Sequence, residues 1–117
     1  MYKNNDSFSI QVNESINHIC DELSLTSFVR AKCLNKSSNM NPKEDMNITK
    51  PIANAIACAI VSIVHEDAKN NGRVRQHLPD RMIAKVFGLN SVDIVYNKRL
   101  INSMHDGNSE KIANMIG

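Results

Sequence analysis

Basic residues are concentrated between residues 69 and 99. This segment has seven basic residues against two aspartates, and the basic ones are Lys69, Arg73, Arg75, Arg81, Lys85, Lys98 and Arg99. Residues 1–48 instead have five basic and six acidic residues. Such a cluster favours neutralisation of phosphates with release of counterions, the main sequence-independent source of nucleic-acid affinity. The segment is therefore the candidate nucleic-acid interface, although charged residues also solvate ordinary helix faces.

Residues suited to catalysis or metal binding lack the spacing that these functions need. Cys20, Cys33 and Cys58 are far apart and form no CxxC pair, so we expect reduced thiols in the core. His18 and Cys20 lie two residues apart, which places them on different faces of a helix. No P-loop, GxSxG or HExxH motif occurs. We therefore expect that the protein is not an enzyme and that it binds no metal, no cofactor and no small-molecule substrate.

Length and composition favour a single helical domain. The chain has 117 residues, of which 42% are hydrophobic and 22% are charged, as is ordinary for a folded domain. Aromatic residues make up only 4%, and there are three prolines and four glycines, which disfavours a sandwich of many hairpins. The longest apolar run, residues 55–64, is much shorter than the ~20 residues of a membrane span. We therefore expect an intracellular protein with no membrane contact.

Apolar periodicity predicts three helices in the first part of the chain. They cover about residues 8–23, 26–36 and 50–67, and Thr26 and Thr49 are the expected N-caps of the second and third. The third helix has almost no polar face, as in a helix surrounded by protein. Its predicted buried axis is formed by Ala55, Ile56, Ala59, Ile60 and Ile63. His65 and His77 border the basic loop and are expected to be solvated caps or phosphate contacts.

Two shorter helices follow the basic loop. The fourth, about 79–87, ends at Gly88, and the fifth, about 91–105, is capped by Asn90 or Ser91. Residues expected to face inward from the fourth helix are Met82, Ile83, Val86 and Phe87. The lengths and the tight turn are those of a helix-turn-helix, whose second helix would read DNA. A further short helix is possible over residues 109–116.

The order of these elements carries a family resemblance. An apolar, alanine-rich helix leads to a short helix reading IxxxxG and then to a fifth helix with an RLI stretch. Residues 51–101 resemble in this way a cyclin-fold repeat of transcription factor IIB and its archaeal counterparts. The more specific matches are Ile83, Gly88, Ile94, Arg99, Leu100 and Ile101, and the looser ones are Pro51, Ile52, Ala55 and Ala59.

The resemblance implies an all-α, five-helix, cyclin-like domain with its third helix central. It also implies a transcription initiation factor that binds promoter DNA together with a TATA-binding protein and RNA polymerase, in a nucleus or a cytoplasmic viral factory. Members ordinarily have an N-terminal zinc ribbon and two repeats. This chain matches one repeat, so we expect a fragment of a longer protein or a divergent viral or plasmid relative. The family reads bases with a Val and an Arg three residues apart, and Val92 and Val95 hold those places here.

The predicted interface combines phosphate contacts with groove contacts. Val can contact a thymine methyl group but cannot make the bidentate hydrogen bonds that guanine requires. Arg73, Arg75, Arg81 and Lys85 are expected at phosphates, and Ser91, Val92, Val95, Lys98 and Arg99 in or beside the groove.

Other interpretations stay open at this point. The face of Val92 and Val95 could instead pack on the first helix or on a second repeat. A cyclin-like protein-binding module without nucleic acid is one alternative function. A small helix-turn-helix regulator is another, and it predicts a two-fold dimer.

Overall fold

The computed structural model describes residues 4–40, 49–75, 78 and 80–105, and it confirms the prediction of an all-α, five-helix domain. The helices are α1 (Asn4–Glu22), α2 (Ser27–Ser38), α3 (Lys50–Asn70), α4 (Asp80–Phe87) and α5 (Ser91–His105). Within these ranges no residue is in a β-strand. The possible helix over residues 109–116 lies outside the described residues.

Helices α1 and α2 form a corner that is fixed by local signals. Val12, Ile16 and Ile19 are fully buried on one face of α1, as their helical spacing requires. The helix ends where Ser24 adopts a positive φ of 51° and Leu25 N–H donates to the Cys20 carbonyl at 2.9 Å. Thr26 then caps α2, because its Oγ1 accepts a hydrogen bond from Val29 N–H at 3.3 Å.

Helix α3 is the centre of the fold and contacts each of the other four helices. Ala55, Ile56, Ala59 and Ile60 are buried as predicted, whereas Ile63 is only half-buried at the edge of the core. The alanines allow neighbouring helices to approach closely, and the isoleucines fill the space between them. By length and composition alone α3 could cross a membrane, but 67% of its most apolar window is buried against the rest of the fold. Such burial is typical of the core helix of a folded domain.

The end of α3 corrects one expectation about the basic loop. The helix continues to Asn70, three residues beyond the predicted end, and His65 lies on its buried side. His65 is 3% exposed and makes interactions inside the fold, and the prediction of a solvated histidine is therefore wrong. His77 lies outside the described residues.

The cysteines are buried, free thiols of the core. Cys20 of α1 and Cys33 of α2 share a hydrogen bond, which lowers the pKa of Cys20 and raises that of Cys33. Cys58 lies in the middle of α3, and burial raises the pKa of its thiol to about 12. A thiol that stays protonated is a poor nucleophile and a poor metal ligand, so Cys58 has a packing role.

Candidate nucleic-acid interface

Helix α4 is anchored on α3 and α1 by its inner face. Ile83 and Ala84 are buried, and the Cys58 thiol lies 3.8 Å from the Ile83 carbonyl oxygen, to which it donates. At the end of α4, the ring of Phe87 lies 5.3 Å from that of His18, measured between centroids. Met82, which the sequence placed inside, is 39% exposed, because it falls on the outer face of this short helix. The contacts hold α4 at a fixed place on the core.

Gly88 makes the tight turn between α4 and α5. It has a φ of 69°, in the left-handed region that glycine adopts without steric cost. Gly88 N–H donates to the Lys85 carbonyl at 3.3 Å, and Leu89 N–H donates to the Ala84 carbonyl at 2.9 Å. These two bonds form a Schellman motif, which satisfies carbonyls at the end of α4. The predicted C-cap is therefore present, and it sets the direction in which the chain enters α5.

A reciprocal pair of hydrogen bonds starts α5. Asp93 N–H donates to Asn90 Oδ1 at 2.9 Å, and Asn90 N–H donates to Asp93 Oδ2 at 3.3 Å. This is a capping box, so of the two N-caps that the sequence allowed the structure uses Asn90. Asn97, one turn further, donates from Nδ2 to the Asp93 carbonyl at 2.7 Å. The beginning of α5 is thus a rigid element.

The outer face of α5 carries a run of exposed side chains. Val92 is 75% exposed, Val95 53% and Tyr96 38%, and Arg99 is also exposed. Their spacing of i, i+3, i+4 and i+7 places them along one side of the helix. We call Val92, Val95, Tyr96 and Arg99 the α5 face. In the described part of the chain α1 does not contact α5, so the α5 face is not covered by the first helix.

The inner face of α5 holds the helix in position. Ile94 and Ile101 are fully buried, and Asn97 is nearly so. Lys98 is half-buried, and both Lys98 and Arg99 make interactions within the fold. For Ser91 the structure describes only its backbone, as the first residue of α5. Because the inner face holds the helix on the core, Val92 and Val95 of the predicted groove contact remain exposed to solvent.

Two predicted phosphate contacts lie on the outside of α4. Arg81 and Lys85 are exposed and four residues apart, so they share one side of the helix. Helix α4 contacts α5, α3 and α1. Helices α4 and α5, which we call the helix pair, are thus in contact, with two exposed cations on α4 and the α5 face on α5.

Arg73 and Arg75 lie elsewhere, near the corner of α1 and α2. Gly72 and Arg73 close a second Schellman motif at the end of α3, with Arg73 N–H donating to the Ala68 carbonyl at 2.7 Å. The Arg73 guanidinium carbon lies 5.6 Å from the centroid of the Phe28 ring in α2. Arg75 lines a cavity of about 280 Å³ beside Thr26 and His65. Among the described residues, α2 contacts neither α4 nor α5, so the part of Arg73 that lies over Phe28 is beside a helix that has no contact with the helix pair.

Sequence reasoning missed the aromatic and basic side chains around Arg73. Phe28 of α2 is 39% exposed, and Lys32 Nζ lies 5.7 Å from the centroid of its ring. The signal was present in the spacing, because residues 28, 32 and 36 fall on one stripe of α2. The contribution of Arg73 could not be read from spacing, since it comes from a different helix end.

No family model, curated protein or solved structure matches the chain. The described residues contain no group of three or more histidine, cysteine or acidic side chains that could hold a metal ion.

Proposed function

We propose that the protein is a non-enzymatic, intracellular DNA-binding factor of the transcription-initiation type, similar to transcription factor IIB. In this proposal α5 lies in or beside the major groove, and α4 contacts the phosphates. The observation that carries the proposal is the α5 face, where Val92 and Val95 are largely in solvent while Ile94 and Ile101 hold the helix on the core. An exposed valine has no stabilising role in the isolated fold and can contact a thymine methyl group in a groove.

Exposed basic residues on α4 and α5 support the same function. Arg81 and Lys85 are exposed on α4, and Arg99 is exposed on α5 itself. Contacts to phosphate fix the register of a protein on DNA, whereas contacts to base edges give sequence preference. Two valines provide little hydrogen-bonding specificity, so the factor would bind DNA with help from protein partners. A TATA-binding protein and RNA polymerase are the partners that the family resemblance suggests.

The test is binding of a labelled promoter duplex, with and without a TATA-binding protein, over a range of salt concentrations. We expect binding to weaken with a slope of about 0.9 in log Kd against log salt for each phosphate neutralised. Arg81→Gln combined with Lys85→Gln should reduce that slope by about 1.8. Val92→Glu should weaken binding by about tenfold or more, because it brings a carboxylate towards the phosphates.

The matched control is Ile10→Glu, an exposed apolar residue of α1 that is 51% exposed and outside the helix pair. It should leave duplex affinity within about twofold, because it adds the same charge on α1, which has no contact with α5 among the described residues. Equal losses in Val92→Glu and Ile10→Glu would contradict a role for the α5 face. The wild type, Val92→Glu and Ile10→Glu should have similar melting temperatures, since both substituted positions are exposed.

A protein-binding module without nucleic-acid contact is the second candidate. The apolar character of Val92, Val95 and Tyr96 favours it, because such side chains also suit a protein interface. Undetectable DNA binding at low salt would support this candidate over the first. A small helix-turn-helix repressor would form a two-fold dimer, so a monomeric mass by light scattering would count against that third function.

A further inference from the structure

A groove of about 700 Å³ lies between α2 and the last turns of α3, away from the helix pair. Helix α2 contributes Phe28, Lys32 and Lys36, which follow one another at intervals of four residues along one stripe. The end of α3 contributes Asp67, and Arg73 closes the groove just beyond that helix. We call this the α2–α3 groove. Its volume is in the range of a ligand site for a molecule of nucleotide size.

The charge of the α2–α3 groove selects an anionic occupant. Three cations, Lys32, Lys36 and Arg73, line it against a single carboxylate, that of Asp67. They come from two separate parts of the chain, so folding brings the charge together. A backbone of phosphates matches a row of cations spaced along a helix, because each phosphate carries one charge at a regular interval.

An exposed aromatic ring among these cations further restricts the chemical class of the occupant. Phe28 is 39% exposed, and the charged ends of Lys32 and Arg73 lie over its ring at 5.7 and 5.6 Å from the centroid. A base that stacks on the ring would replace at least one of these cation–π contacts, and the displaced cation could then contact phosphate. A simple polyanion or an acidic peptide would use the cations but has no need of the ring. A nucleobase uses both, because stacking on an aromatic side chain adds to phosphate contacts in proteins that bind single strands.

The rest of the groove is rich in side-chain amides. Asn35, Asn39 and Asn71 line it, and a carboxamide carries both hydrogen-bond donors and acceptors. Asn71 Nδ2 donates to the Asp67 carbonyl at 2.9 Å, which fixes that side chain at the groove wall. Groups that can both donate and accept suit the Watson–Crick edges of unpaired bases. In a duplex these edges are already paired.

We infer that the α2–α3 groove binds single-stranded nucleic acid, with a base stacked on Phe28 and backbone phosphates at Lys32, Lys36 and Arg73. This site goes beyond the proposed duplex contact, because it lies on α2, which has no contact with α4 or α5 among the described residues. The chain then has two nucleic-acid surfaces, one for a duplex and one for a single strand. Failure of either leaves the other standing.

The test measures fluorescence anisotropy of a labelled oligothymidylate of about 12 nucleotides with the full chain. Lys32→Gln combined with Lys36→Gln should weaken binding about tenfold and reduce the salt slope by about 1.4, at 0.7 for each cation. Arg81→Gln with Lys85→Gln removes the same charge from α4. That matched control should leave single-strand affinity within about twofold while duplex binding weakens.

Substitutions of Phe28 test the contribution of stacking separately from that of charge. Phe28→Leu should weaken oligothymidylate binding about fivefold or more without changing the salt slope, and Phe28→Tyr, which keeps the ring, should bind within about twofold of the wild type. Equal binding by the leucine and wild-type proteins, equal losses for leucine and tyrosine, or equally good competition by polyglutamate would overturn the inference. The inference would also be overturned if the α2 and α4 double substitutions weakened oligothymidylate binding equally.

Discussion

Ser15 of α1 donates a hydrogen bond from Oγ to Oδ1 of Asn54 in α3, at 2.5 Å. Ser15 is 7% exposed, so the bond crosses a largely desolvated contact between the two helices. Ile16 and Ala55, the next residues along the two helices, are buried in the core. The polar pair favours one register of α1 on α3, because other registers would leave the largely buried hydroxyl without this partner.

Ser15→Ala is expected to destabilise the protein by about 1 kcal/mol, the usual net value of one hydrogen bond. Asn54→Ala should cost a similar amount, and the double variant should cost less than the sum, because both changes remove the same bond. The free energies of unfolding come from urea titrations of the four proteins. Strict additivity would mean that the bond contributes nothing to stability.

Substitutions at two helix-end residues with positive φ should change the free energy of unfolding in opposite directions. Gly88→Ala is expected to destabilise by about 1–2 kcal/mol, a purely conformational cost because its added Cβ would meet nothing within 4 Å. Ser24 holds a similar conformation with φ of 51° at the end of α1, so Ser24→Gly should stabilise by about 0.5–1 kcal/mol. Urea unfolding of both variants checks this. Changes of the same sign would contradict the conformational argument.

The small residues of α3 should not tolerate enlargement. Ala59 has no exposed surface in the centre of the fold, so Ala59→Leu must displace neighbouring helices and is expected to cost about 2–3 kcal/mol. Ala31→Leu makes the same change at an exposed position of α2 and should be nearly neutral. Thermal unfolding followed by circular dichroism distinguishes them. Similar melting temperatures for the two variants would mean that α3 is less tightly packed than the structure indicates.

Features that depend on neighbours in sequence could be predicted, and those that depend on packing could not. Thr26 and Thr49 cap helices as expected, because an N-cap hydroxyl acts on backbone groups three residues away. The place of Arg73 over Phe28 depends on how α3 ends beside α2, and no local pattern specifies it. The burial of His65 was missed because it depends on which side of α3 the other helices cover, and a polar residue in the sequence does not show this.

Cys58 should make the protein less stable in alkali. An ordinary thiol has a pKa near 9, and burial raises that of Cys58 to about 12. Between these values the unfolded chain loses the proton while the folded chain keeps it. The stability that Cys58 provides below pH 9 is therefore lost as the pH rises towards 12, at up to about 1.4 kcal/mol per pH unit.

Urea unfolding of the wild type and of Cys58→Ala at about pH 8 and pH 10.5 measures this effect. The variant should be the less stable protein at pH 8, because it lacks buried sulfur, but its stability should fall less as the pH rises. We expect the difference between the two proteins to shift by about 2 kcal/mol in favour of the variant. Other groups that titrate in this range are common to both proteins and cancel in the comparison. A difference independent of pH would show that the Cys58 thiol ionises as readily in the folded chain as in the unfolded one.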